Sequence, residues 1–286
     1  MNRMRRLLAL IALLLLIGAC RAEEAVQFPS LAGPHAATLD GRLFRAVGEG
    51  RNPALVFLHG CGGLFGRHGA INARERDWAA RMNAAGISVL MVDSFGPRHH
   101  GEMCAPAHFD ATLYYARPFD AYAALRYLQA QDFVLADQVG VMGWSEGGGT
   151  VLNTIRTNSP ARPDALPGGD FKAAVAFYPA SCSTQRQGAA WSSPIPLLVL
   201  IGASDVWTPA EPCRALIEHH EASTRAEIHV YPGAYHDFDW PGMPVHEVPA
   251  FRTRAGVVPI EGSDPEAKAD AVQRVTAFFA AHLPGR

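Results

Sequence analysis

Short apolar runs recur along the chain, separated by longer stretches in which apolar residues return every three or four positions. Apolar runs of four to eight residues, bounded by turn residues, are typical of strands buried on both faces of a parallel sheet. The strands that this pattern predicts lie at 41–46, 54–58, 87–92, 139–142, 173–177, 197–201 and 226–231. The first of them is expected to be exposed.

Helical spacing predicts helices between these strands. In 73–85 the apolar residues Trp78, Met82 and Ala85 recur three or four apart, and Gly86 follows as a helix stop. The other helices predicted in this way lie at 118–130, 146–156, 210–220 and 265–282. Strands that alternate with helices of ten or more residues indicate βαβ units. The sequence therefore predicts an α/β fold, with a mostly parallel central sheet and helices on both faces.

The beginning of the chain follows a different pattern. Three arginines precede an apolar stretch at 7–19, and Cys20 follows directly. A basic start, a short apolar region and small residues before a break are typical of a secretory signal. The stretch is shorter than the roughly 20 residues that a membrane-spanning helix needs. Its ending, Ile17-Gly-Ala-Cys20, resembles the lipobox of bacterial lipoproteins, which implies acylation of Cys20. A plain secretory peptide cut near Ala19 and a retained anchor helix are the alternatives.

The rest of the chain is expected to form one domain. Hydrophobic residues make up 49% of the sequence and charged residues 18%, which excludes a disordered chain. Removing the leader takes away three arginines and no acids, so the net charge of −2 becomes −5. No run of lysines and arginines is dense enough to bind nucleic acid. The expected organisation is a signal peptide at 1–19, a lead-in with the first strand at 20–52 and the α/β domain at 53–286.

Export changes how the cysteines are interpreted. Apart from Cys20, the chain has an even number of them, at Cys61, Cys104, Cys182 and Cys213. An exported protein lies in a compartment where disulfides form, and four cysteines allow three pairings. None of the four shows the paired C-x-x-C spacing of a zinc site. His99, His100 and His108 also match no familiar ligand spacing, so no metal is expected.

A possible nucleophile follows the strand at 139–142. The next residues, Gly143-Trp-Ser145-Glu-Gly147, match G-x-S-x-G between a strand and a helix. This context is what a nucleophile elbow requires, because the sharp turn strains the serine backbone and needs small neighbours. Ser145 is therefore the predicted nucleophile. Cys61 is the less favoured alternative, since no elbow surrounds it.

A serine hydroxyl needs a base to activate it and an acid to orient that base. Asp205 follows the strand at 197–201, and His236 follows the strand at 226–231. In a mostly parallel sheet such strand ends meet at one edge, where ligands bind. The chain order Ser145, Asp205, His236 is also that of α/β-hydrolases. The sequence thus predicts a catalytic triad of these three residues.

Other residues compete for two of these roles. Asp205 could cap the helix at 210–220, and Asp237 or Asp239 could be the acid. Most of the other histidines lie in polar stretches and are expected to be solvated, and His59 is expected to hold its own loop by hydrogen bonds. The oxyanion needs two donors, and we assign them to the backbone N–H groups of Glu146 and Cys61.

The chain resembles the dienelactone hydrolase family of α/β-hydrolases from about residue 53 to the final helix. The segments that carry the resemblance are Leu58-His-Gly-Cys-Gly-Gly-Leu64, Val92-Asp-Ser-Phe-Gly-Pro-Arg98, Asp120-Ala-Tyr-Ala-Ala124, Gly143-Trp-Ser-Glu-Gly-Gly148, Phe177-Tyr-Pro179, 202–205 and 231–238. The resemblance implies hydrolysis of a small-molecule ester or lactone, without a cofactor, by a nucleophile, a histidine and an aspartate. These roles map onto Ser145, His236 and Asp205.

The sequence departs from the family pattern at two positions. The founding enzymes use a cysteine nucleophile where this chain has Ser145, and a glutamate where it has Gly60. Both departures favour a more general serine esterase over an enzyme for dienelactone itself. The arginines that bind the substrate carboxylate in the family have no firm counterpart. Arg98 is the candidate, with a purely structural ion pair as the alternative.

The resemblance also implies a disulfide pairing. Cys182 follows the strand at 173–177, and Cys213 lies in the helix after the Asp205 loop, so Cys182–Cys213 is expected. Cys61–Cys104 is then the second bridge, joining the oxyanion loop to the loop after the strand at 87–92.

The expected protein is an exported serine hydrolase on the periplasmic side of a bacterial cell envelope, anchored by lipid and in contact with the membrane only through that anchor. A peptidase with the same fold is one alternative, although no propeller or large cap domain is present in the sequence. A non-catalytic envelope lipoprotein that keeps the scaffold for binding is the other.

Overall fold

A computed structural model of the chain describes residues 23–31, 36–48, 50–220 and 225–285. The signal peptide predicted at 1–19 and the acylation expected at Cys20 lie outside the described residues. None of the helices in the described ranges is long and apolar enough to cross a bilayer.

An eight-stranded sheet forms the centre of the molecule. Its strands are β1 (Glu24–Pro29), β2 (Thr38–Phe44), β3 (Asn52–Leu58), β4 (Ser88–Asp93), β5 (Val134–Trp144), β6 (Ala174–Phe177), β7 (Leu197–Gly202) and β8 (Ala226–Tyr231). They are arranged in the order β1-β2-β4-β3-β5-β6-β7-β8. The six strands from β3 onward pair in parallel, and β1 and β2 run antiparallel at one edge.

The middle strands are covered on both faces. Every residue of β4, β6 and β7 is buried, which matches their continuous apolar sequences. The edge strand β1 alternates between exposed and partly buried positions instead. The α/β fold with a mostly parallel central sheet is therefore confirmed.

Six helices lie within the described residues: α1 (Ala73–Ala84), α2 (Ala111–Gln129), α3 (Glu146–Ile155), α4 (Thr184–Gln187), α5 (Ala210–His220) and α6 (Pro265–His282). Carboxylate caps start two of them. Asp110 accepts from the first-turn N–H groups of α2, and Asp264 does the same for α6. Gly86, with φ of 79°, follows the end of α1 as the sequence predicted.

Three boundaries differ from the sequence prediction. The lead-in contains β1, which the sequence pattern did not reveal because its alternation is short and polar. The strand expected at 139–142 begins at Val134. The helix expected from Pro118 begins seven residues earlier, because Asp110 caps it and Pro118 lies inside it.

Two disulfides, Cys61–Cys104 and Cys182–Cys213, join elements beyond the carboxyl ends of the strands. They are the two bridges that the resemblance implied. Near the first bridge, a small apolar cluster of Phe95, Met103, Leu113 and Tyr114 packs apart from the main core, with Cys61 against it.

Candidate active site

Ser145 occupies a strained turn between β5 and α3. Its φ of 52° and ψ of −115° lie in a region that residues other than glycine rarely adopt. The glycines on either side permit the turn. A Cβ on Gly143 would lie 2.4 Å from the carbonyl oxygen of Gly147, and one on Gly147 would lie 2.0 Å from that of Leu58. The G-x-S-x-G pattern thus reflects close backbone contacts, and the structure has the predicted elbow.

The three residues predicted as a triad come together at one edge of the sheet. Nε2 of His236 lies 3.0 Å from Oγ of Ser145, and Nδ1 of His236 lies 2.7 Å from Oδ2 of Asp205. All three residues are buried. This geometry allows a proton to pass from the hydroxyl to Nε2 while the carboxylate holds Nδ1–H.

The carboxylate of Asp205 is held by its own loop. Oδ1 accepts from the backbone N–H groups of Trp207 and Thr208, at 2.9 and 2.8 Å. The hydroxyl of Thr208 donates to Oδ2 at 2.8 Å. Both residues precede α5, which begins at Ala210. Asp205 therefore closes the turn before the helix and does not cap the helix.

Asp237 and Asp239, the alternative acids, bind elsewhere in a buried network. Asp237 accepts from Nη1 of Arg74 at 2.5 Å. Asp239 accepts from the hydroxyl of Tyr178 at 2.5 Å and from the indole N–H groups of Trp78 and Trp144, at 2.7 and 2.9 Å. Trp144 is the second residue of the G-x-S-x-G motif, so its hydrogen bond to Asp239 connects this network to the turn that holds Ser145.

The electrostatic surroundings favour a protonated His236. Burial by itself lowers the pKa of this imidazole, but the Asp205 carboxylate and its hydrogen bond outweigh the effect of burial. Asp237 and Glu261 also raise the pKa of His236, and the net shift is upward. The site therefore stabilises the imidazolium that would form when Ser145 loses its proton.

A cavity of about 470 Å³ opens beside Ser145. Its apolar walls include Met103, Phe109, Tyr114, Trp207 and Phe251, and both disulfides contribute to the lining. Burial raises the pKa of the Tyr114 phenol to about 12, so this group stays neutral. The volume is in the range of small-molecule sites.

The residues that carry the two predicted oxyanion donors lie beside this cavity. Cys61 and Glu146 line it together with Ser145. Glu146 is the first residue of α3, so its N–H has no acceptor within the helix and lies at the positive end of the helix dipole. Its carboxylate is bound by Arg117.

Arg98 is directed away from the cavity. Its guanidinium donates to both carboxylate oxygens of Asp120, at 3.0 and 2.8 Å, and to the carbonyl of Ser94 at 2.8 Å. The described lining of the cavity does not include it. Arg98 therefore forms the structural ion pair that is the alternative to substrate binding, because the buried carboxylate of Asp120 needs a partner.

The other histidines singled out in the sequence lie outside the triad. His59 contacts the carbonyl of Gly60 through Nδ1 at 2.7 Å and accepts from the N–H of Ser94 through Nε2 at 3.3 Å. Burial, with Arg117 nearby, lowers the pKa of His59 well below its usual value. His108 contacts Glu102. Within the described ranges, no group of three or more His, Cys, Asp or Glu side chains is arranged to hold a metal ion.

Sequence reasoning missed several residues that shape the site. Thr208 supports Asp205, while Arg186 and Arg254 line the cavity. Arg117 and Arg74 are buried behind Glu146 and Asp237. Thr208 could have been noticed as a hydroxyl three residues after the acid. Nothing in the hydrophobic pattern distinguishes the arginines from surface residues.

Comparisons with known proteins agree with this architecture. The sequence model of the dienelactone hydrolase family matches residues 41–283. A curated relative from Bradyrhizobium sp., named "Probable 2-oxo-3-(5-oxofuran-2-ylidene)propanoate lactonase", is 27% identical over 212 residues, which cover 68% of this chain and 77% of the relative.

Solved structures share the fold at low sequence identity. A dienelactone hydrolase-like promiscuous phosphotriesterase from metagenomic libraries is similar with a TM-score of 0.63 and 20% identity, covering 92% of this chain and 99% of the other. Esterase 2 of Thermogutta terrifontis, phosphonylated by sarin, is similar with a TM-score of 0.64 and 16% identity, covering 93% and 98%. With the family match spanning most of the sequence, the chain belongs to the dienelactone hydrolase family and is a carboxylic ester hydrolase.

Proposed function

We propose that the protein is a serine hydrolase that cleaves a small ester or lactone through an acyl-enzyme. The observation that carries the proposal is the pair of contacts around His236, 3.0 Å from Oγ of Ser145 and 2.7 Å from the carboxylate of Asp205. The cavity beside Ser145 supplies room for a substrate. The serine replaces the cysteine of the founding enzymes and favours general ester hydrolysis.

In the first half-reaction, Oγ of Ser145 bonds to the carbonyl carbon while its proton moves to Nε2 of His236. The carbonyl oxygen becomes an oxyanion that accepts from the N–H groups of Cys61 and Glu146. His236 then gives its proton to the leaving oxygen as the carbon–oxygen bond of the ester breaks. An alcohol leaves, or a hydroxyl stays attached if the substrate is a lactone, and Ser145 carries the acyl group.

In the second half-reaction, a water molecule loses a proton to Nε2 of His236 and bonds to the acyl carbon. The second oxyanion collapses, the bond to Oγ breaks, and the serine oxygen recovers its proton from His236. A carboxylic acid is released. Asp205 keeps Nδ1 as the donor nitrogen in both halves, so Nε2 is always free to exchange the proton.

The charges of the cavity favour a substrate with an anionic end. Arg186 and Arg254 line it, and Glu146 is the one acid among its described lining residues. Because Arg117 neutralises that carboxylate, the charge of the described lining residues is dominated by the two arginines. The lactone in the name of the Bradyrhizobium relative carries a carboxylate. We therefore propose an ester or lactone with a carboxylate and a compact apolar body.

Labelling with a fluorophosphonate tests the nucleophile. The wild type should be labelled once and the Ser145→Ala variant not at all, with hydrolysis of p-nitrophenyl butyrate lost in parallel. A p-nitroanilide peptide in the same assay tests the peptidase alternative. An unlabelled wild type would favour a binding lipoprotein, and equal labelling of the variant would exclude Ser145.

Paired substrates test the anionic preference. Replacing Arg186 and Arg254 together by Gln should raise KM for a p-nitrophenyl monoester of a dicarboxylic acid while leaving KM for the neutral butyrate ester unchanged. An equal change for both substrates would contradict the proposal.

We also propose that the protein is exported and anchored through Cys20. Two disulfides within the domain support an oxidising compartment. Labelling of cells with a radioactive fatty acid should mark the wild type and not the Cys20→Ser variant. A processed wild type without label would favour the plain secretory peptide.

A further inference from the structure

Arg117 is a fully buried cation next to the proposed oxyanion site. It lies in α2, and its residue has 0% of its surface exposed. Nη1 donates to Oε1 of Glu146 at 2.7 Å, and Nη2 donates to the carbonyl oxygen of His59 at 2.5 Å. The ring of Phe95 lies 5.2 Å from the guanidinium carbon. Burying a lone charge is costly, so the contacts of Arg117 are with groups that can offset that cost.

Those contacts reach both segments that carry an oxyanion donor. His59 lies two residues before Cys61, in the loop after β3, and Glu146 begins α3 after β5. β3 and β5 are neighbours in the sheet. A single planar guanidinium therefore connects the backbone of the His59 loop with the side chain of the first residue of α3, and both segments contain a residue that lines the cavity.

Arg117 also balances the negative charge of Glu146. A carboxylate on Glu146 next to a developing oxyanion would oppose it. Burial raises the pKa of the Glu146 carboxyl, and Arg117 offsets only part of that shift, so the net change is upward. His59 supplies no competing positive charge, since burial and Arg117 lower its pKa. Arg117 thus neutralises Glu146, the one acid among the described residues that line the cavity.

We propose that Arg117 is a positioning residue that fixes the spacing of the Cys61 and Glu146 N–H groups for the oxyanion. The inference rests on the proposed function, because an oxyanion forms only if Ser145 attacks a carbonyl. Arg117 does not line the cavity. It acts through the His59 carbonyl and the Glu146 carboxylate, and it should affect the transition state more than substrate binding.

The matched control is Arg162, at the other end of α3. It donates to the carboxylate of Asp170 at 2.6 Å and to the carbonyl of Ile155, the last residue of α3, at 3.2 Å. Arg162 thus also combines an ion pair with a carbonyl contact, at a partly exposed position remote from the donors. Replacing Arg162 by Met should lower stability without changing kcat per active site.

The experiment compares Arg117→Met, Arg117→Lys and Arg162→Met with the wild type. Active sites are counted with a fluorophosphonate, so that misfolded protein is excluded from the rates. For Arg117→Met we expect kcat with p-nitrophenyl butyrate to fall about 10- to 100-fold, below the loss typical of a whole missing donor, with KM nearly unchanged. Affinity for phenylboronic acid, which forms a tetrahedral adduct with the serine, should fall by a similar factor. Arg117→Lys should be intermediate.

Three outcomes would overturn the inference. In the first, Arg117→Met keeps wild-type kcat per titrated site. In the second, KM rises while kcat and boronate affinity are unchanged. In the third, Arg162→Met loses as much kcat as Arg117→Met. A wild type that neither reacts with the fluorophosphonate nor hydrolyses the ester would instead overturn the proposed function, and the inference with it.

Discussion

Oδ2 of Asp205 and Nδ1 of His236 lie 2.7 Å apart, although the residues are 31 positions apart in the sequence. Because this contact raises the pKa of His236 against the effect of burial, it predicts how activity depends on pH. Only the neutral imidazole can accept the proton of Ser145. We expect kcat/KM to rise with pH and to reach half its plateau above the ordinary pKa of histidine, in initial rates measured at constant ionic strength.

Replacing Asp205 by Asn tests the origin of that shift. The amide removes the negative charge that raises the pKa of His236, so the rise in kcat/KM should move to lower pH. The amide also favours the wrong imidazole tautomer, and kcat should fall by about 10⁴-fold. An unchanged midpoint in the variant would mean that another carboxylate, such as Asp237 or Glu261, sets the pKa.

Thr208 offers a finer test of the same carboxylate. Its hydroxyl donates to Oδ2 of Asp205 at 2.8 Å and lies 3.1 Å from Nδ1 of His236. Thr208→Val keeps the shape and removes one hydrogen bond worth about 1 kcal/mol, so we expect kcat to fall about fivefold. Thr208→Ser should restore most of the rate. If the Ser variant is as slow as the Val variant, the hydroxyl alone does not support Asp205, which would contradict the prediction.

The two disulfides should differ in their effect on catalysis. The bridge Cys61–Cys104 joins residues 43 positions apart, and Cys182–Cys213 joins residues 31 positions apart. Replacing either pair by Ser should therefore cost about 2–4 kcal/mol in the free energy of unfolding. Cys61 also carries a proposed oxyanion donor. We therefore expect a larger loss of kcat when Cys61 and Cys104 are replaced than when Cys182 and Cys213 are. Denaturant unfolding and active-site-titrated rates measure the two effects, and equal losses of kcat would contradict the assignment.

Arg74 should be a major contributor to stability. Its guanidinium pairs with Asp237 at 2.5 Å and with Glu75 at 2.8 Å, and all three residues are buried. Removing one partner of a buried pair leaves an uncompensated charge, so Arg74→Met should cost about 3–5 kcal/mol in the free energy of unfolding.

The control lies on the same helix. Arg81 pairs with Asp77 at 2.9 Å, but both side chains are partly exposed. Arg81→Met should therefore cost at most about 1 kcal/mol. Urea unfolding at neutral pH compares the two variants, and similar costs would show that the Arg74 network does not depend on its charges.

The sequence identified the residues whose positions follow from topology. Ser145, Asp205 and His236 each come directly after a predicted strand, and parallel strands bring their carboxyl ends to one edge. Their positions in the sequence were therefore enough to predict that the three side chains lie close together. The same reasoning located Cys61, since its loop follows β3.

Residues whose role depends on side-chain direction could not be found in this way. Arg98 lies near a strand end, but its side chain turns to Asp120 on α2. Arg117 lies in a helix where neither spacing nor composition distinguishes it from a solvated residue. What decides both cases is which buried carboxylate needs a partner, and burial of a single side chain is a property of tertiary packing.

Local sequence signals also predicted the start of α2 wrongly and did not reveal β1. The helical spacing of Tyr122, Leu125 and Leu128 predicts a helix from Pro118, a residue type that is common at the first position of helices. The true start depends on Asp110, which accepts from the N–H groups of Thr112 and Leu113. Among the described strands β1 pairs with β2 alone, and its positions are mostly exposed or partly buried. Such a strand has little of the apolar signal that marks the interior ones.

The position of His236 has a consequence for how the protein would lose activity. His236 follows β8, which lies at the border of the sheet and buries only its last residue. Within the part of the chain that the structure describes, β8 pairs with β7 alone. Ser145 and Asp205 follow interior strands. Fraying of one border could thus detach the base while most of the core stays intact. We expect heat to inactivate the enzyme reversibly at a temperature below the one at which the whole domain unfolds. The temperature range of activity would then be set by the stability of β8 and not by that of the whole fold.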